Sequence, residues 1–438
     1  MRLRDKLSHL PAPGRPEPDP VPATELTHSE IDADTPGADR LQQLRGLIGQ
    51  VVERDRRRQR HRAPAQGPLP LPFGERRDTD DGPLHLLERF LEPDHHHGRV
   101  AVAGALTIAP PLLARFALDP ALSDVDLSRM LIFDTETTGL AGGTGTVPFL
   151  IGLAFFEDGV LKVEQLFLPN LGAEAPMLHH LSRRMAAASC IVSYNGKSFD
   201  WPLLRTRFIM ARVPVEPPPP HLDLLHCARR VLKPRMQSVR LTEVERELLG
   251  FFREGDVDSA LIPALYADYL RGADPESLLP IIEHNESDLV ALAAVAARLC
   301  SHFAELRPAD DPRDLLAYGR VALRAGDLER ALEFSIFAAD HSDDGELRCQ
   351  ALALAALAAA RAKRHEHAAE SWSRVLQHAT DDLWSGRAHL ELAKLYEHRL
   401  ADPARAYGHA RFTLELEGEQ AHGRRLGRLT RRLLRTGA

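Results

Sequence analysis

The sequence predicts an α/β domain with a mixed sheet, followed by a second, all-helical domain. In the middle of the chain, apolar runs of strand length are followed by alternating helical and strand segments. Beyond residue 308 the chain is rich in Ala and Leu and has helical periodicity only. A chain of 438 residues is also too long for one ordinary hydrophobic core, so we expect at least two folded regions.

Three apolar runs at the start of the α/β domain are predicted to be antiparallel strands, because glycine-bearing turns connect them. They cover residues 130–133, 147–156 and 161–168. The chain then alternates between a helix, a strand and a helix, over residues 173–188, 190–194 and 199–212. Such an alternation adds parallel strands, and the result is a mixed sheet with helices on its faces.

Composition divides the chain into three segments. Residues 1–83 are Pro-rich and include an amphipathic pattern near 39–62 that ends in a run of arginines. We expect a largely disordered tail with one basic helix, which is either an arm that contacts nucleic acid or a solvated helix end. Residues 84–307 are assigned to the α/β domain, and residues 308–438 to the helical domain.

Similar short segments recur in the helical domain. Ala331, Ala368 and Ala406 mark a period of about 37 or 38 residues, which resembles that of tetratricopeptide repeats. Small residues at these positions let paired helices approach closely, and stacked pairs form a concave surface. The repeats are either a platform for a protein partner or a cap that stabilises the α/β domain.

The overall charge and the cysteines exclude several classes of protein. A net charge of −7 and a sequence pI near 6.3 give no global signature of a nucleic-acid binder, so any such surface is local. The four cysteines form no CxxC pair, which indicates neither a zinc site nor a disulfide framework. No run approaches the roughly 18 apolar residues of a membrane span. We expect a cytoplasmic protein without a membrane partner.

Two carboxylates end the first strand of the α/β domain. Asp134 and Glu136 project from the same face, because side chains alternate along a strand. Neighbouring acids on a buried strand are unfavourable unless cations neutralise them. The next residues, Thr137, Thr138 and Gly139, form a turn whose backbone N–H groups could face a phosphate or terminal nucleotide. The pattern indicates a metal site beside a substrate-binding turn.

Three motifs resemble those of the DnaQ-like (DEDD) exonuclease superfamily. They are Phe133 to Gly139, Tyr194 to Asp200, and His284 to Asp288. More narrowly, the chain resembles the YprB ribonuclease H-like family in several further segments. These are Gly143 to Gly152, Tyr194 to Leu204, His221 to His226, and Ile262 to Tyr266. The resemblance covers about residues 95–300 and implies a ribonuclease H-like fold for this part of the chain.

The resemblance also implies a set of metal ligands. The four acids of the superfamily correspond to Asp134, Glu136, Asp200 and Asp288. They imply two Mg²⁺ or Mn²⁺ ions, one held mainly by Asp134, Glu136 and Asp288, and the other by Asp134 with Asp200. Two metal ions suit phosphodiester hydrolysis, because they stabilise both the attacking and the leaving oxygen. Oxygen ligands favour these ions over zinc.

His284 is the candidate general base. It precedes Asp288 by one helical turn and shares its face. Superfamily members have a histidine five residues before the last aspartate or a tyrosine four residues before it, so this histidine has the spacing of the tyrosine. His284 either orients and deprotonates the attacking water or packs within the helix.

Two residues before the Asp200 helix are predicted to bind substrate. They are Asn195 and Lys197, although Lys197 is either a phosphate contact or an ordinary surface lysine. Asp223 is predicted to cap the helix that begins at Leu224, because a fifth acid is not required in the site.

The leading functional hypothesis is a metal-dependent nuclease, a 3′→5′ exonuclease on single-stranded or frayed DNA or RNA ends. One alternative is a nucleic-acid-binding module with little catalysis, which its repeats tether to a protein complex. Another is a structural adaptor that acts mainly through those repeats. The presence of all four acids favours the nuclease.

Overall fold

A seven-stranded mixed sheet lies at the centre of the α/β region in the computed structural model of the chain. The structure describes residues 67–139, 145–379 and 381–436. In chain order the described strands are β1 (Glu75–Thr79), β2 (Gly82–Leu91), β3 (His96–His97), β4 (Val100–Ala101), β5 (Met130–Thr137), β6 (Pro148–Glu157), β7 (Val160–Phe167), β8 (Cys190–Ser193) and β9 (His221–Asp223).

The strand order of the sheet is β1-β2-β7-β6-β5-β8-β9. Neighbouring strands from β1 to β5 in this order are antiparallel, whereas β5 with β8 and β8 with β9 are parallel. The predicted mixed sheet, with three antiparallel strands followed by a β/α alternation, is therefore confirmed. β3 and β4 form a separate two-stranded hairpin.

The sheet begins before residue 84, where the α/β domain is predicted to start. β1 and the first two residues of β2 precede this position, β1 and β2 are antiparallel, and Leu86 in β2 pairs with Leu166 in β7. Leu84 and Leu86 are buried at alternate positions, so β2 has the pattern of a half-buried strand. The α/β region starts at Glu75 or before.

Helices cover both faces of the sheet and make up the rest of the described chain. Those of the α/β region are α1 (Pro110–Ala117), α2 (Ala175–Ala187), α3 (Asp200–Ala211), α4 (Leu224–Leu232), α5 (Leu241–Val244), α6 (Ile262–Leu270) and α7 (Leu279–Ala304). A π-helical turn, Glu245–Leu249, continues α5. Beyond it lie α8 (Pro312–Ala325), α9 (Leu328–His341), α10 (Gly345–Arg361), α11 (His365–His378), α12 (Asp382–His398), α13 (Pro403–Ala410) and α14 (Leu414–Thr436).

β5 is buried on both faces, which explains its continuous apolar sequence. Ile132 belongs to the core that contains α7, whereas Leu131 and Phe133 belong to the core on the opposite face. Among the described residues, one helical stretch, Pro275–Ala304, is long and apolar enough to cross a membrane, yet 67% of its most apolar window is buried. This stretch contains α7, the central core helix of the α/β region.

The core does not stop at the predicted boundary between residues 307 and 308. Phe303 in α7 packs against Tyr318 in α8 and Phe334 in α9, with ring centroids 5.9 and 6.1 Å apart. All three side chains are almost completely buried. The first helices after residue 308 therefore share a hydrophobic core with the α/β region.

Helices α8 to α13 form three successive hairpins, in which each helix packs on the next. Ala331, Ala368 and Ala406 lie in the second helix of each pair and are fully buried. This agrees with the predicted helix crossings, and the all-helical character of this region is confirmed. Its assignment to tetratricopeptide-like repeats remains a prediction. The basic helix near 39–62 lies outside the described residues.

Candidate active site

The fold brings four acids from distant parts of the chain to one end of the sheet. Asp134 and Glu136 come from the last residues of β5, Asp200 is the first residue of α3, and Asp288 lies in α7. The pairing of β5 with β6 shifts register between Glu136 and Thr137, so the strand becomes irregular where the acids lie. The four residues that the sequence predicts as metal ligands are thus close enough to influence one another electrostatically.

Burial and mutual repulsion disfavour the charged form of these acids. Burial and the carboxylates of Asp288 and Asp200 raise the pKa of Asp134 well above its ordinary value. Burial and Asp134 do the same to the pKa of Glu136. Burial also raises the pKa of Asp288, although Arg253 and His284 oppose this change. The site therefore carries more negative charge than its own cations compensate.

Asp134 is held in place by a relay of amide side chains. Asn285, which neighbours His284 in α7, donates from Nδ2 to Asp134 Oδ2 at 2.9 Å. Gln165 in β7 donates to Asn285 Oδ1 at 3.0 Å and to the Ile282 carbonyl at 2.8 Å. Gly152 pairs with Asp134 in the sheet, and a Cβ there would lie only 2.2 Å from Asn285 Oδ1. A glycine in β6 is therefore needed for this relay.

Asp200 lies on the other side of the β5 backbone. The hydroxyl of Thr135, between Asp134 and Glu136, donates to Asp200 Oδ1. Burial raises the pKa of Asp200 to about 6, although the Thr135 hydrogen bond favours the charged form. Both sides of the strand end therefore contribute to the acid cluster.

The raised pKa of Asp200 predicts a pH-dependent stability of the metal-free protein. Because the folded state holds this proton more tightly than the unfolded state, the contribution of Asp200 to stability is full below about pH 4 and is lost as the pH rises through about 6. The loss is on the order of 2 to 3 kcal/mol. Urea unfolding in EDTA at several pH values measures it, with Asp200→Asn as the control.

Asp314 in α8 makes this control necessary, because burial also raises its pKa to about 6. Asp314 contributes a similar decrease in both proteins, and only the wild type has the additional contribution of Asp200. Parallel curves of stability against pH for the wild type and Asp200→Asn would contradict the prediction.

His284 points towards the acids and is oriented by a carboxylate that the sequence did not indicate. Its Nδ1 lies 2.6 Å from Asp256 Oδ1, and its Nε2 lies 3.9 Å from Glu136 Oε1 and 3.8 Å from Asp288 Oδ2. Because an ionised carboxylate only accepts hydrogen bonds, the short contact with Asp256 places the proton on Nδ1 and leaves Nε2 of a neutral ring free to accept one, although Arg253 Nη1 also lies 3.4 Å from Nδ1. This favours the catalytic interpretation of His284 over simple helix packing.

Arg253 is the positive charge of the site. It lies in the segment between the π-helical turn and α6, and its Nη2 is 2.6 Å from Asp288 Oδ1 and 2.7 Å from Glu245 Oε2. The other carboxylate oxygen of Glu245 lies 2.7 Å from His97 Nε2. The side chains of His97, Glu245 and Arg253 are 5%, 1% and 7% exposed, so this is a buried chain of charged or polar groups. It fixes a guanidinium beside a candidate metal ligand.

The chemical type of the four acidic side chains suits a divalent metal ion. Four mostly buried carboxylates offer hard oxygen ligands, and their raised pKa values show a need for further positive charge. Among the described residues, however, no group of three or more His, Cys, Asp or Glu side chains is arranged to hold a metal as it stands. Asn285, Thr135 and Arg253 already contact Asp134, Asp200 and Asp288. Metal binding therefore requires these carboxylates to reorient.

The predicted substrate-binding turn is closed by its own hydroxyl groups. Thr137 Oγ1 donates to the Gly139 carbonyl at 2.9 Å. Thr138 and Val147 are joined by two hydrogen bonds of 3.0 Å, from the Thr138 N–H to the Val147 carbonyl and from the Val147 N–H to Thr138 Oγ1. These contacts shape the turn beside Glu136, and the predicted contact of Thr137, Thr138 and Gly139 with substrate remains a prediction.

Asp223 organises the second predicted motif. Its carboxylate accepts from the N–H of Leu225 at 3.1 Å, as predicted for a helix cap, and also from the N–H groups of Asn195 at 2.9 Å and Lys197 at 3.1 Å. Asn195 has a φ of +68°, so this carboxylate stabilises a backbone conformation that asparagine tolerates better than most residues. The Lys197 ammonium lies 3.8 Å from Asp119 rather than beside the four acids.

A cleft of about 830 Å³ reaches one of the four acids, Asp288. His284 and Asp288 line it together with Asp256 and Asn195. An open cleft lined by a histidine and an acid that belongs to a carboxylate cluster is a common form of active site.

Comparison with known proteins identifies the family. A family model described as the RNase_H superfamily matches residues 131–300, a range that contains all four acids. The uncharacterized protein YprB of Bacillus subtilis (strain 168) is 31% identical over 324 residues, which is 70% of this chain and 75% of that protein. The chain belongs to the YprB family. Its α/β region has the nuclease-type fold of the ribonuclease H superfamily, whose members generally use divalent metals.

Among solved structures, the chain is similar to the family B DNA polymerase from the hyperthermophilic archaeon Pyrobaculum calidifontis. The TM-score is 0.34 and the sequence identity is 13%. The similarity covers 48% of this chain and 29% of the polymerase, so the chain corresponds to less than a third of that protein.

Several residues of the site were missed by sequence reasoning. Arg253 and Asp256 lie in an irregular segment with no periodic pattern, and neither resembles a residue of the three motifs. Gln165 is a buried polar residue in β7, beside the buried Glu164, and two adjacent polar residues in a strand that ends in Leu166 and Phe167 are a signal that could have been used. Asn285 stands between His284 and Glu286 in the third motif, where its contact with Asp134 had no sequence signature.

Proposed function

We propose that this protein is a metal-dependent nuclease that acts as a 3′→5′ exonuclease on single-stranded or frayed ends of DNA or RNA. The observation that carries the proposal is the convergence of four mostly buried carboxylates with a histidine whose Nε2 faces two of them. Such a cluster destabilises the fold unless cations bind it, and its place at the end of an open cleft lets a substrate reach it.

Asp134, Glu136, Asp200 and Asp288 are the residues that would hold two Mg²⁺ or Mn²⁺ ions. When bound, such ions supply charge that stabilises the attacking and the leaving oxygen of a phosphodiester. Asn285 keeps Asp134 directed into the site, and Thr135 does the same for Asp200. These contacts limit the movement of the two carboxylates.

His284 is proposed to accept the proton of the attacking water at Nε2. Asp256 accepts a hydrogen bond from Nδ1, holds the ring orientation, and stabilises the imidazolium that forms when Nε2 takes the proton. His284 and Asp256 thus act as a pair, in which the histidine is catalytic and Asp256 is a positioning residue.

Substitutions of this pair are expected to lower the rate to different extents. His284→Gln removes the proton acceptor, and we expect kcat to decrease by roughly 10²-fold or more. Asp256→Asn keeps the ring but weakens its orientation, and we expect a smaller decrease of about tenfold. Single-turnover hydrolysis over a range of pH measures both, and Asp258→Asn, two residues along in the same cleft, is the control. A His284→Gln rate within about twofold of the wild type would remove His284 from the mechanism.

Direction of cleavage is tested with a single strand labelled at either end. In Mg²⁺ or Mn²⁺, a 5′-labelled strand should shorten step by step, whereas a 3′-labelled strand should release one labelled nucleotide at once. EDTA should stop both reactions. Release of long internal fragments from both substrates would contradict the exonuclease proposal and would indicate an endonuclease.

One observation favours a second candidate, a nucleic-acid-binding module with little catalysis. Arg253 already contacts Asp288, so a cation of the protein occupies part of the space around a proposed metal ligand. In that case the strand should bind with equal affinity in EDTA and in Mg²⁺, and no product should form.

A further inference from the structure

The cleft that leads to the acids also has a basic side. Arg229, Lys233 and Arg240 line it together with His284 and Asp288. We call the first three residues the basic wall. They are exposed, and a net charge of −7 for the whole chain makes three neighbouring cations a local feature rather than an effect of composition.

Helix geometry explains how the basic wall forms. Arg229 lies in the last turn of α4, and Lys233 follows four residues later, so the two side chains extend from the same side of the chain. The Lys233 ammonium donates to the Gln237 carbonyl at 2.5 Å, which ties it to the loop that carries Arg240. α4 itself is fixed by the Asp223 cap, which also holds the backbone of the second motif.

Two members of the basic wall have no acidic partner among the described residues. Within the part of the chain that the structure describes, no carboxylate lies within ion-pair distance of Arg229 or Arg240, although many other arginines are paired. Exposed cations without a partner are free to bind an anion with little rearrangement. Because these cations and Asp288 line the same cleft, an anion that binds the cations and also reaches Asp288 must be long enough to extend along the cleft.

We propose that the basic wall binds the phosphates of a single nucleic-acid strand whose end lies at the acids. This inference rests on the proposed function. It adds to it the residues that bind the strand at some distance from the scissile bond. Because contacts with phosphates carry no sequence information, the wall predicts binding to DNA and RNA strands of any sequence.

The test measures binding without hydrolysis, with the full chain carrying Asp134→Asn. A fluorescent single strand is titrated at several salt concentrations, and the slope of log K against log salt is determined. Each phosphate contact on a single strand contributes about −0.7 to this slope. Changing Arg229, Lys233 and Arg240 together to Gln should therefore make the slope shallower by about 2 and weaken binding at least tenfold at physiological salt.

A matched control removes three charges elsewhere. Arg324, Arg361 and Arg411 are exposed residues of the helical region, and their change to Gln alters the net charge by the same amount. We expect the control to retain the slope of the Asp134→Asn reference to within about 0.5, because a slope reports direct contacts more than net charge.

Three results would overturn the inference. Equal slopes for the wall variant and the control would show that the residues of the basic wall do not contact the strand. Hydrolysis by the wild type in the same experiments would leave the proposed function intact. Polyglutamate that binds as tightly as the strand, and depends on the same three residues, would indicate an acidic protein partner. A reference protein that binds no strand at all, together with a wild type that hydrolyses none, would remove the inference and the proposed function together.

Discussion

Replacement of Asp134 with asparagine is expected to lower the rate of metal-dependent strand hydrolysis by at least about 10³-fold. Asp134 lies among the other acids, since burial and the charges of Asp288 and Asp200 all raise its pKa. The substitution removes one buried charge from the proposed metal ligands, and a loss of roughly 4 kcal/mol of transition-state stabilisation corresponds to this factor. Single-turnover hydrolysis in Mg²⁺ and in Mn²⁺ measures the effect.

The same variant should be more stable than the wild type in EDTA, because asparagine adds no charge to a crowded acid cluster. A higher midpoint of thermal unfolding therefore excludes misfolding as the cause of lost activity. Asp80→Asn, which changes an exposed aspartate outside the cluster, is the control and should affect neither quantity. An Asp134→Asn protein with nearly wild-type hydrolysis would contradict the assignment of the site.

Replacement of Arg253 with methionine is expected to destabilise the metal-free protein by about 3 to 5 kcal/mol. The side chain of Glu245 is 1% exposed and loses its cation, and Asp288 loses the guanidinium at 2.6 Å. Breaking a buried ion pair by removing one partner has this effect because the remaining charge stays buried without compensation. Urea unfolding in EDTA at pH 7 gives the free energy difference.

Arg246 provides a matched control in the same region. Its side chain is 44% exposed and pairs with Glu243 at the surface, so Arg246→Met should change stability by less than about 1 kcal/mol. Similar losses for the two variants would show that the network from His97 to Asp288 does not stabilise the protein as the structure implies.

The central strands and the change from antiparallel strands to a β/α alternation could be predicted because their signals are local. β5 and β6 are continuous apolar runs, and the short turn at Asp158 and Gly159 indicates the hairpin between β6 and β7. β1 and β2 were missed for two reasons. β1 is almost entirely exposed, and the short alternation of buried and more exposed residues in β2 lies next to Pro83. An edge strand with charged side chains has little hydrophobic pattern to detect.

The acids of the site could be predicted from three motifs, but their surroundings could not. Asp134, Glu136, Asp200 and Asp288 each stand in a recognisable motif, and the fold brings those motifs together. Arg253 reaches Asp288 from an irregular segment, and its position depends on Glu245 and on the hairpin that carries His97. Such long-range contacts between charged residues leave no periodic pattern in the sequence.

The four acids are proposed to hold divalent metal ions that promote hydrolysis. A crystal of the full chain soaked in Mn²⁺ tests it through the anomalous signal of the metal. We predict a strong peak at bonding distance from the carboxylates of Asp134 and Glu136, and its loss in Asp134→Asn. The absence of any peak among the four acids at millimolar Mn²⁺, with Arg253 still bound to Asp288, would contradict the claim.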